Sequence, residues 1–345
     1  MGMIKLPQGA ISFFKNNQDQ IFQSGALAEG SWNNKVQDWI CEYTSSNNSL
    51  ATSSNGTGLL AVLQALKFGS GYEDIFLQSN TMYGMKTLAV SSGLKLKGFV
   101  DCNIETLMPS LNTLKEFVDN LDQPEKSVFL LTHIGGWSNP EIEQIADYCE
   151  MQGIALVEDC AHSLGTIING KHTGTFGVAG VYSLYATKAI PVGEGGIVLT
   201  NNNEIWKQVE KYSIYDRFDQ EQEFGLNNRM SEINALLTYS VLMYLDEIID
   251  NKYMIADHYI EVCNKMGINY FDPQLDGQRS NLYKFILFDN QKFDFKRIKT
   301  KTSAVYDYSL GDDPEDIKTR HVCLPIWYGL EEEVISTVKN ELEAL

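Results

Sequence analysis

Residues 154–200 read IALVEDCAHSLGTIINGKHTGTFGVAGVYSLYATKAIPVGEGGIVLT, and this stretch decides the fold. It holds three short apolar segments, IALVED at 154–159, GVYSLY at 180–185 and GGIVLT at 195–200. Gly-rich and polar residues separate these segments. Short runs of branched and aromatic residues bounded by turn formers are typical of β-strands, so the stretch predicts three strands.

Apolar segments alternate with amphipathic ones on both sides of this stretch. Strands are predicted at residues 49–54, 74–78, 94–102 and 127–136. Helices are predicted at residues 33–43 after a short lead, at 59–68, from about 83 or 85, and at 107–121, 139–153 and 201–218. Near-continuous apolar strands between helices are typical of a parallel sheet covered on both faces, so we expect an α/β fold.

The last third of the chain is less regular. Apolar residues at helical spacing predict a long helix from Ile233 onward, with a break near Asn251. Because 345 residues suffice for two domains and such a helix often bridges them, we predict a boundary near residue 240. Beyond it we predict a strand at 281–288, a basic helix or turn at 293–302, an exposed loop at 309–320 and a helix at 331–345.

Charge and cysteine usage narrow the class of protein. The chain has 45 acidic and 27 basic side chains and a formal net charge of -18, which argues against binding nucleic acid or anionic membranes. Its six cysteines form no CxxC pair, so we expect reduced thiols in a cytoplasmic protein without a metal site. We find no apolar run long enough for a signal peptide or a membrane span.

Two chemically useful side chains follow the first two strands of the quoted stretch. Asp159 ends IALVED, and Lys188 follows GVYSLY among uncharged neighbours. Strand ends of an open α/β sheet converge on one crevice, where this pair suits pyridoxal phosphate. The lysine would form a Schiff base with the aldehyde, and the aspartate would keep the pyridine nitrogen protonated. Taken singly, Asp159 is more often a turn or cap residue and Lys188 a solvated one.

A polar Gly-rich turn leads from a strand into a helix in SLATSSNGTGLL, residues 49–60. Backbone N–H groups of Gly56, Thr57 and Gly58 could hold a phosphate at the helix N-terminus. A plain capped helix explains the same residues, and both interpretations stay open. Tyr83 follows the next strand and is a candidate to lie on a planar ring, with an ordinary half-buried tyrosine as the alternative.

Six motifs in order resemble the sugar aminotransferases of the DegT/DnrJ/EryC1/StrS family, in the fold type I aspartate-aminotransferase superfamily. They are SGALAEGSW, SSNGTGLLAVLQAL, IALVEDCAHSLGT, TGTFGVAGVYSLYATKAIPVGEGGIVLTN, GLNNRMSEINALL and CLPIWYGLEEE. The resemblance covers residues 20–245 and, more loosely, the C-terminal region. It implies the three-layer transferase fold of type I, with a mainly parallel central sheet. A large cofactor-binding domain would span residues 1–240 and a smaller α+β domain residues 241–345.

The resemblance also implies roles for individual residues. Lys188, five residues after Ser183, resembles the Schiff-base lysine that also shuttles a proton. Asp159 resembles the partner of the pyridine nitrogen, and His162 a residue that touches the phenolic oxygen of the cofactor. The other implied positions are the phosphate ligands Thr57, Gly58 and Ser183, the ring-stacking Tyr83, and Asn227, which would reach the phosphate of the neighbouring subunit in a homodimer with shared active sites.

The implied reaction moves an amino group from L-glutamate, through pyridoxamine phosphate, to a ketone on a nucleotide-linked sugar in surface-polysaccharide or deoxyaminosugar biosynthesis. Two departures from the family concern the substrate. VYDYSLGDDPED replaces a His-containing stretch, and an F-G-D motif becomes Phe176-Gly177-Val178. A smaller keto sugar or a keto-alcohol phosphate is therefore an alternative substrate.

Two other functions remain in view. The first is a pyridoxal-phosphate-dependent sugar dehydratase, but relatives with that activity tend to carry His at the position of Lys188. The second is a cofactor-binding regulator that has lost catalysis. The complete set of Asp159, Ser183 and Lys188 argues against it, because a non-catalytic protein need not retain all three.

Overall fold

The computed structural model describes residues 4–214, 224–288 and 292–345. Its α-helices are α1 (Gln8–Ser24), α2 (Ser31–Thr44), α3 (Asn55–Gln64), α4 (Tyr83–Ser91), α5 (Leu111–Val118), α6 (Ile142–Gln152), α7 (Asn203–Ser213), α8 (Glu232–Leu242), α9 (Leu245–Met266) and α10 (Glu332–Glu343). Its strands are β1 (Asn48–Thr52), β2 (Asp74–Gln78), β3 (Lys95–Val100), β4 (Ser127–Thr132), β5 (Ala155–Cys160), β6 (Ile167–Ile168), β7 (Lys171–His172), β8 (Ala179–Ser183), β9 (Gly196–Thr200), β10 (Gln278–Arg279), β11 (Phe285–Phe288) and β12 (His321–Leu324).

Seven strands form the central sheet, in the order β1-β9-β8-β5-β4-β2-β3. The five strands from β8 to β3 are parallel, whereas β9 runs antiparallel to both β8 and β1. All residues of β4, β5, β8 and β9 are buried, as expected for strands covered on both faces. The predicted α/β fold with a mainly parallel central sheet is confirmed.

Successive residues of these strands face opposite layers of helices, because side chains alternate along a strand. Val157 packs in a cluster with apolar residues of α3, α4 and α7. Its neighbour Leu156 packs in another cluster with residues of α5 and α6. Towards β9, the second face is covered instead by α1, α2 and α8. Two layers of helices therefore enclose the sheet, which gives three layers in all.

The C-terminal residues form an apolar cluster of their own. It joins α9 and α10 to the antiparallel pair β11–β12, with buried residues between Ile255 and Leu342. The α9 helix also contributes to the cluster on the central sheet through Leu245, Ile248 and Ile249. The long helix thus connects the two groups of apolar residues, while the division into two domains at residue 240 stays a prediction.

Several predicted boundaries differ from the structure. The lead before residue 33 contains a full helix, α1, which the pattern analysis missed. The helix predicted at 107–121 begins only at Leu111, because Leu107 has a positive φ of 59° and Ser110 caps the N-terminus. The long helix breaks between α8 and α9, at residues 243–244, and not near Asn251. Residues 215–218 of the helix predicted at 201–218 lie outside the described part.

A buried hydrogen-bond network joins β5 to the loop that precedes β8. Both oxygens of Glu158 accept hydrogen bonds, Oε1 from the N–H groups of Phe176 and Gly177, each at 2.8 Å, and Oε2 from Gly174 at 2.7 Å. Nε2 of His133 also lies 2.8 Å from Oε2, and its Nδ1 accepts from the Asn139 N–H, so the neutral ring donates through Nε2. The fully buried carboxylate therefore holds the loop before β8 to β5.

In the described part of the chain, no helix is both long enough and apolar enough to cross a bilayer.

Replacing Glu158 with Gln tests this anchor. The amide would set an N–H₂ group against backbone N–H donors, so we expect the free energy of unfolding to fall by about 3 kcal/mol. Chemical denaturation followed by circular dichroism measures it. Glu143→Gln is the matched control, since Glu143 forms an exposed ion pair with Lys171 whose loss should cost less than about 1 kcal/mol. Equal stability of the two variants would contradict the anchoring role.

Candidate active site

A cavity of about 440 Å³ opens at the carboxyl ends of β5 and β8. These parallel strands end at the same edge of the sheet, which brings residues distant in sequence together. The predicted site residues that line it are Gly56, Asp159, His162, Ser183 and Lys188. The predicted site residues that do not line it are Thr57, Gly58, Tyr83 and Asn227.

Asp159 is buried near the carboxyl end of β5, with 2 % of its surface exposed. Its Oδ1 accepts hydrogen bonds from Asn55 Nδ2 at 3.1 Å and from the Ala161 N–H at 3.0 Å, and its Oδ2 from Thr132 Oγ1 at 3.3 Å. The pKa of this carboxyl lies above its ordinary value, because burial outweighs the hydrogen bonds and the charge of Lys188, which lower it. A cation bound beside Asp159 would favour its ionised form further.

Lys188 lies in the loop between β8 and β9. Its backbone N–H donates to the carbonyl of Tyr185 at 2.8 Å, and its Nζ lies 4.6 Å from the ring centre of Tyr283. Burial lowers the pKa of Lys188 to about 8, although the charge of Asp159 acts in the opposite direction. A lysine with this pKa holds an appreciable fraction of neutral amine near neutral pH, which is the nucleophilic form.

The start of α3 forms one wall of the cavity. Ser54 caps the helix, and its hydroxyl accepts from the Thr57 N–H at 3.1 Å while the Thr57 hydroxyl accepts from the Ser54 N–H at 3.1 Å. In this capping box the Thr57 hydroxyl is already hydrogen-bonded to another residue of the protein. The plain capped helix and the phosphate site are therefore compatible, because further N–H groups of the first turn have no partner within the helix.

The two glycines of this turn differ in what surrounds them. A Cβ on Gly58 would lie 2.9 Å from methyl carbons of Val181 and Val198, so glycine is needed there for α3 to pack on the sheet. A Cβ on Gly56 would meet no protein atom closer than 3.8 Å. Because Gly56 faces the cavity, its missing side chain leaves room for a ligand against the backbone.

His162 lines the same cavity as Asp159 and is buried, with 6 % of its surface exposed. Burial, followed by the charges of Lys188 and Lys284, lowers the pKa of His162 well below its ordinary value. Its Nδ1 accepts from the Gly135 N–H at 3.3 Å, so the neutral ring carries its proton on Nε2. The ring stacks on Tyr283 with 4.4 Å between ring centres.

Two predicted residues lie outside the cavity. Tyr83 is 56 % exposed and stacks on Tyr308, with 3.9 Å between ring centres. Asn227 is exposed, and its side-chain oxygen accepts from Nε of Arg229 at 2.8 Å. Its neighbour Asn228 is buried instead and donates to the Thr57 carbonyl at 3.3 Å. The roles of Tyr83 and Asn227 stay predictions.

Several cavity residues escaped the sequence analysis. Asn55 lies within the Gly-rich turn, and an amide next to a predicted ligand-binding turn was a usable signal. Met82 lines the cavity one residue before Tyr83. Tyr283 and Tyr306 come from the C-terminal third, where no motif marked them, and only the fold brings them to the strand ends.

These residues fit pyridoxal phosphate. The buried carboxylate of Asp159 suits a protonated ring nitrogen, since a buried charge needs a partner of opposite sign. The neutral amine of Lys188 suits an aldehyde, and the open backbone at Gly56 beside the Ser183 hydroxyl suits a phosphate. The Nε2–H of His162 is a donor for an oxygen anion. The cavity thus offers one complementary group for each polar part of the cofactor.

The structure resembles solved aminotransferases over their whole length. Helicobacter pylori PseC, an aminotransferase involved in the biosynthesis of pseudoaminic acid, matches with a TM-score of 0.84 and 18 % identity, over 99 % of this chain and 96 % of that one. TlmJ from Streptoalloteichus hindustanus matches at 0.84 and 20 %, over 100 % and 98 %. DesI, solved with its TDP-sugar product, matches at 0.84 and 19 %, over 99 % and 91 %. At these identities the likeness shows the fold.

The family follows from the sequence comparison. The DegT/DnrJ/EryC1/StrS aminotransferase family model matches residues 10–343, which is nearly the whole chain. The sequence resemblance is thereby confirmed over a longer range than its motifs spanned. The chain belongs to the DegT/DnrJ/EryC1/StrS family and is a pyridoxal-phosphate-dependent aminotransferase.

Proposed function

We propose that this aminotransferase moves an amino group from L-glutamate to a keto group of a nucleotide-linked sugar, with Lys188 as its catalytic residue. The observation that carries the proposal is one cavity lined by both a buried carboxylate, Asp159, and an amine with a pKa of about 8, Lys188. The family and the biosynthetic roles named for PseC and DesI support a sugar substrate.

The cofactor supplies an aldehyde that takes up the amino group and an aromatic ring that delocalises electrons. Asp159 would hold the positive ring nitrogen, oriented by Asn55 and Thr132. Lys188 would attach the cofactor as a neutral amine and, when released, move a proton at Nζ on and off the substrate carbon. Its partial burial keeps water away from this proton.

Three groups would orient the rest of the cofactor. The Nε2–H of His162 would donate to the phenolic oxygen. The backbone N–H of Gly56 and the hydroxyl of Ser183 would hold the phosphate, because the Thr57 and Gly58 N–H groups already donate to Ser54, each at 3.1 Å. Such neutral donors suit a protein with a net charge of -18, because they bind an anion without needing a cationic patch.

One feature favours the alternative of a smaller keto sugar without a nucleotide. The loop that supplies Val305 and Tyr306 to the cavity continues into Asp312 and Asp313. These acids interact with Asp101, whose pKa is raised first by burial and then by their charges. Negative charge on this loop would oppose a pyrophosphate that lay against it, although Lys318 lies 3.8 Å from Asp313 and offsets part of that charge.

We also propose a homodimer with shared active sites. Two residues that line the cavity, Met82 and Tyr185, are 46 % and 47 % exposed, and the nearby Tyr83 and Leu226 are 56 % and 48 % exposed. Exposed apolar side chains grouped at a site are typical of a protein interface. A second copy would cover them and could bring its Asn227 to the phosphate.

Lys188→Ala tests the assigned lysine. We expect borohydride to fix pyridoxal phosphate on the peptide containing Lys188 in the wild type only, and amino transfer to fall at least about 10³-fold in the variant. Lys207→Ala, which removes an exposed lysine paired with Glu204, is the control and should keep full activity. Running the assay with keto sugars that carry or lack a nucleotide decides between the two substrates. Full multiple turnover by Lys188→Ala would refute the assignment.

The pH dependence of cofactor attachment tests the state of Lys188. Only the neutral amine attacks an aldehyde, so the attachment rate should rise as pH increases through about 8 and level off above it. Stopped-flow absorbance of the cofactor measures this rate. In Asp159→Asn the charge that raises the pKa of Lys188 is gone, so the midpoint should move to lower pH. A rate independent of pH between about 7 and about 9 would contradict the expectation.

Mixing two inactive variants tests the shared site. In a homodimer with Asn227 acting across the interface, one site of a Lys188→Ala/Asn227→Ala hybrid has both residues intact. Co-refolded in equal amounts, the variants should regain about a quarter of wild-type activity, because half of the dimers are hybrids with one working site each. If Asn227 acts within its own chain, mixing restores nothing.

A further inference from the structure

A second, smaller cavity borders the active site. It has a volume of about 140 Å³. Four residues line both cavities: Thr187, Lys188, Tyr283 and Lys284. A group held in the small cavity would therefore lie next to the catalytic lysine, with Lys188 and Tyr283 between it and the cofactor site.

The wall of the small cavity is rich in lysine. Among the described residues, its lining includes Lys5, Lys188, Lys252 and Lys284 and neither an aspartate nor a glutamate. Lys5 is exposed and pairs with Glu331 outside the lining, at 2.8 Å. In a chain with 45 acids, a cavity bordered by four lysines and no lining acid is a marked departure from the average surface.

Lys252 is the most enclosed of these lysines. It projects from α9, is 5 % exposed, and forms no ion pair within the described residues. Its Nζ donates one hydrogen bond, to the carbonyl of Asn281 at 3.2 Å, and an ammonium group has three donors. Burial lowers the pKa of Lys252 to about 8, which reflects the missing counter-charge. Buried charges are normally paired, so this side chain is suited to a negatively charged ligand.

The rest of the lining is largely uncharged. Trp327 lines the cavity, but its indole Nε1 is shielded from the open volume and is not a donor to it. The other lining residues include Ile248, Leu324 and Ile326. The cavity therefore combines a buried cation with aromatic and apolar surface.

We propose that this cavity binds a carboxylate group, which in the proposed reaction is a carboxylate of the amino-acid donor, through the ammonium of Lys252. The two N–H donors of this ammonium that remain beside its bond to Asn281 match the two oxygens of a carboxylate, and the apolar lining suits the carbon chain next to it. The inference rests on the proposed function only for the identity of the donor. It assigns donor recognition to α9 and to the segment after β12.

The experiment compares the holoenzyme with variants at Lys252. Lys252→Met removes the charge and keeps an unbranched side chain of similar length, while Lys252→Arg keeps the charge. Lys265→Met is the matched control, because Lys265 lies on the same helix but is exposed and pairs with Glu343. The half-reaction with L-glutamate is followed by cofactor absorbance over a range of donor concentrations. Thermal unfolding of each variant confirms that it is folded.

We expect the half-saturating L-glutamate concentration of Lys252→Met to rise at least about tenfold, with the maximal rate changed less than about threefold. Lys252→Arg and Lys265→Met should stay within about threefold of the wild type. Acetate should compete with L-glutamate in the wild type and not in Lys252→Met, and the reaction with a primary amine lacking a carboxylate should be the same in both. An unchanged donor concentration dependence in a folded Lys252→Met overturns the proposal.

A second measurement separates this inference from the proposed function. Acetate is titrated into each protein and followed by tryptophan fluorescence, with Trp327→Phe to identify the responding side chain. If the wild type accepts no amino acid, the proposed function fails, and acetate binding still decides the site. Binding that is lost in Lys252→Met supports a carboxylate site, and equal binding in both proteins overturns it.

Discussion

The proposed cofactor site depends on keeping one buried carboxyl group charged. Asp159 is almost completely enclosed, and burial alone would favour its protonated form. Three donors oppose this: Asn55 from the start of α3, Thr132 from the end of β4, and the Ala161 N–H just beyond β5. Each donor comes from a different element, so the electrostatics of the cavity require the sheet and its helices to be assembled first.

The neighbouring residue shows why β5 can carry such a group. Glu158 and Asp159 are consecutive and both buried, but they face opposite sides of the sheet because side chains alternate along a strand. Glu158 accepts hydrogen bonds from three backbone N–H groups of the loop before β8 and from His133; the three are those of Gly174, Phe176 and Gly177. One carboxylate thus fixes the strand and the loop before β8, and the other faces the cavity. One strand therefore carries both a carboxylate that holds the structure together and a carboxyl group that faces the candidate site.

The chain also buries two lysines among different neighbours, and burial lowers the pKa of each to about 8. Lys188 shares its cavity with Asp159, which partly offsets the effect of burial on its pKa. Lys252 has no such neighbour, and its only described bond is to a carbonyl. A buried lysine beside a carboxylate and a cofactor cavity suits covalent attachment of an aldehyde, whereas a buried lysine without a carboxylate partner suits binding of an anion. The contrast follows from position in the fold, since the two side chains are chemically identical.

The sequence by itself determined the class of fold and the family, and it predicted Asp159 and Lys188, which the structure brings into one cavity. Apolar strands between helices predicted the sheet, and Asp159 and Lys188 were recognisable because each follows a strand whose end meets the others at one edge. It did not determine α1, the break between α8 and α9, or the contribution of Tyr283 and Tyr306, because these depend on contacts between distant segments. Only the tertiary structure separated Gly56, which faces the cavity, from Gly58, which packs against Val181 and Val198. A glycine in the sequence shows where the backbone can approach another group closely, and only the fold decides whether that group is a ligand or a neighbouring side chain.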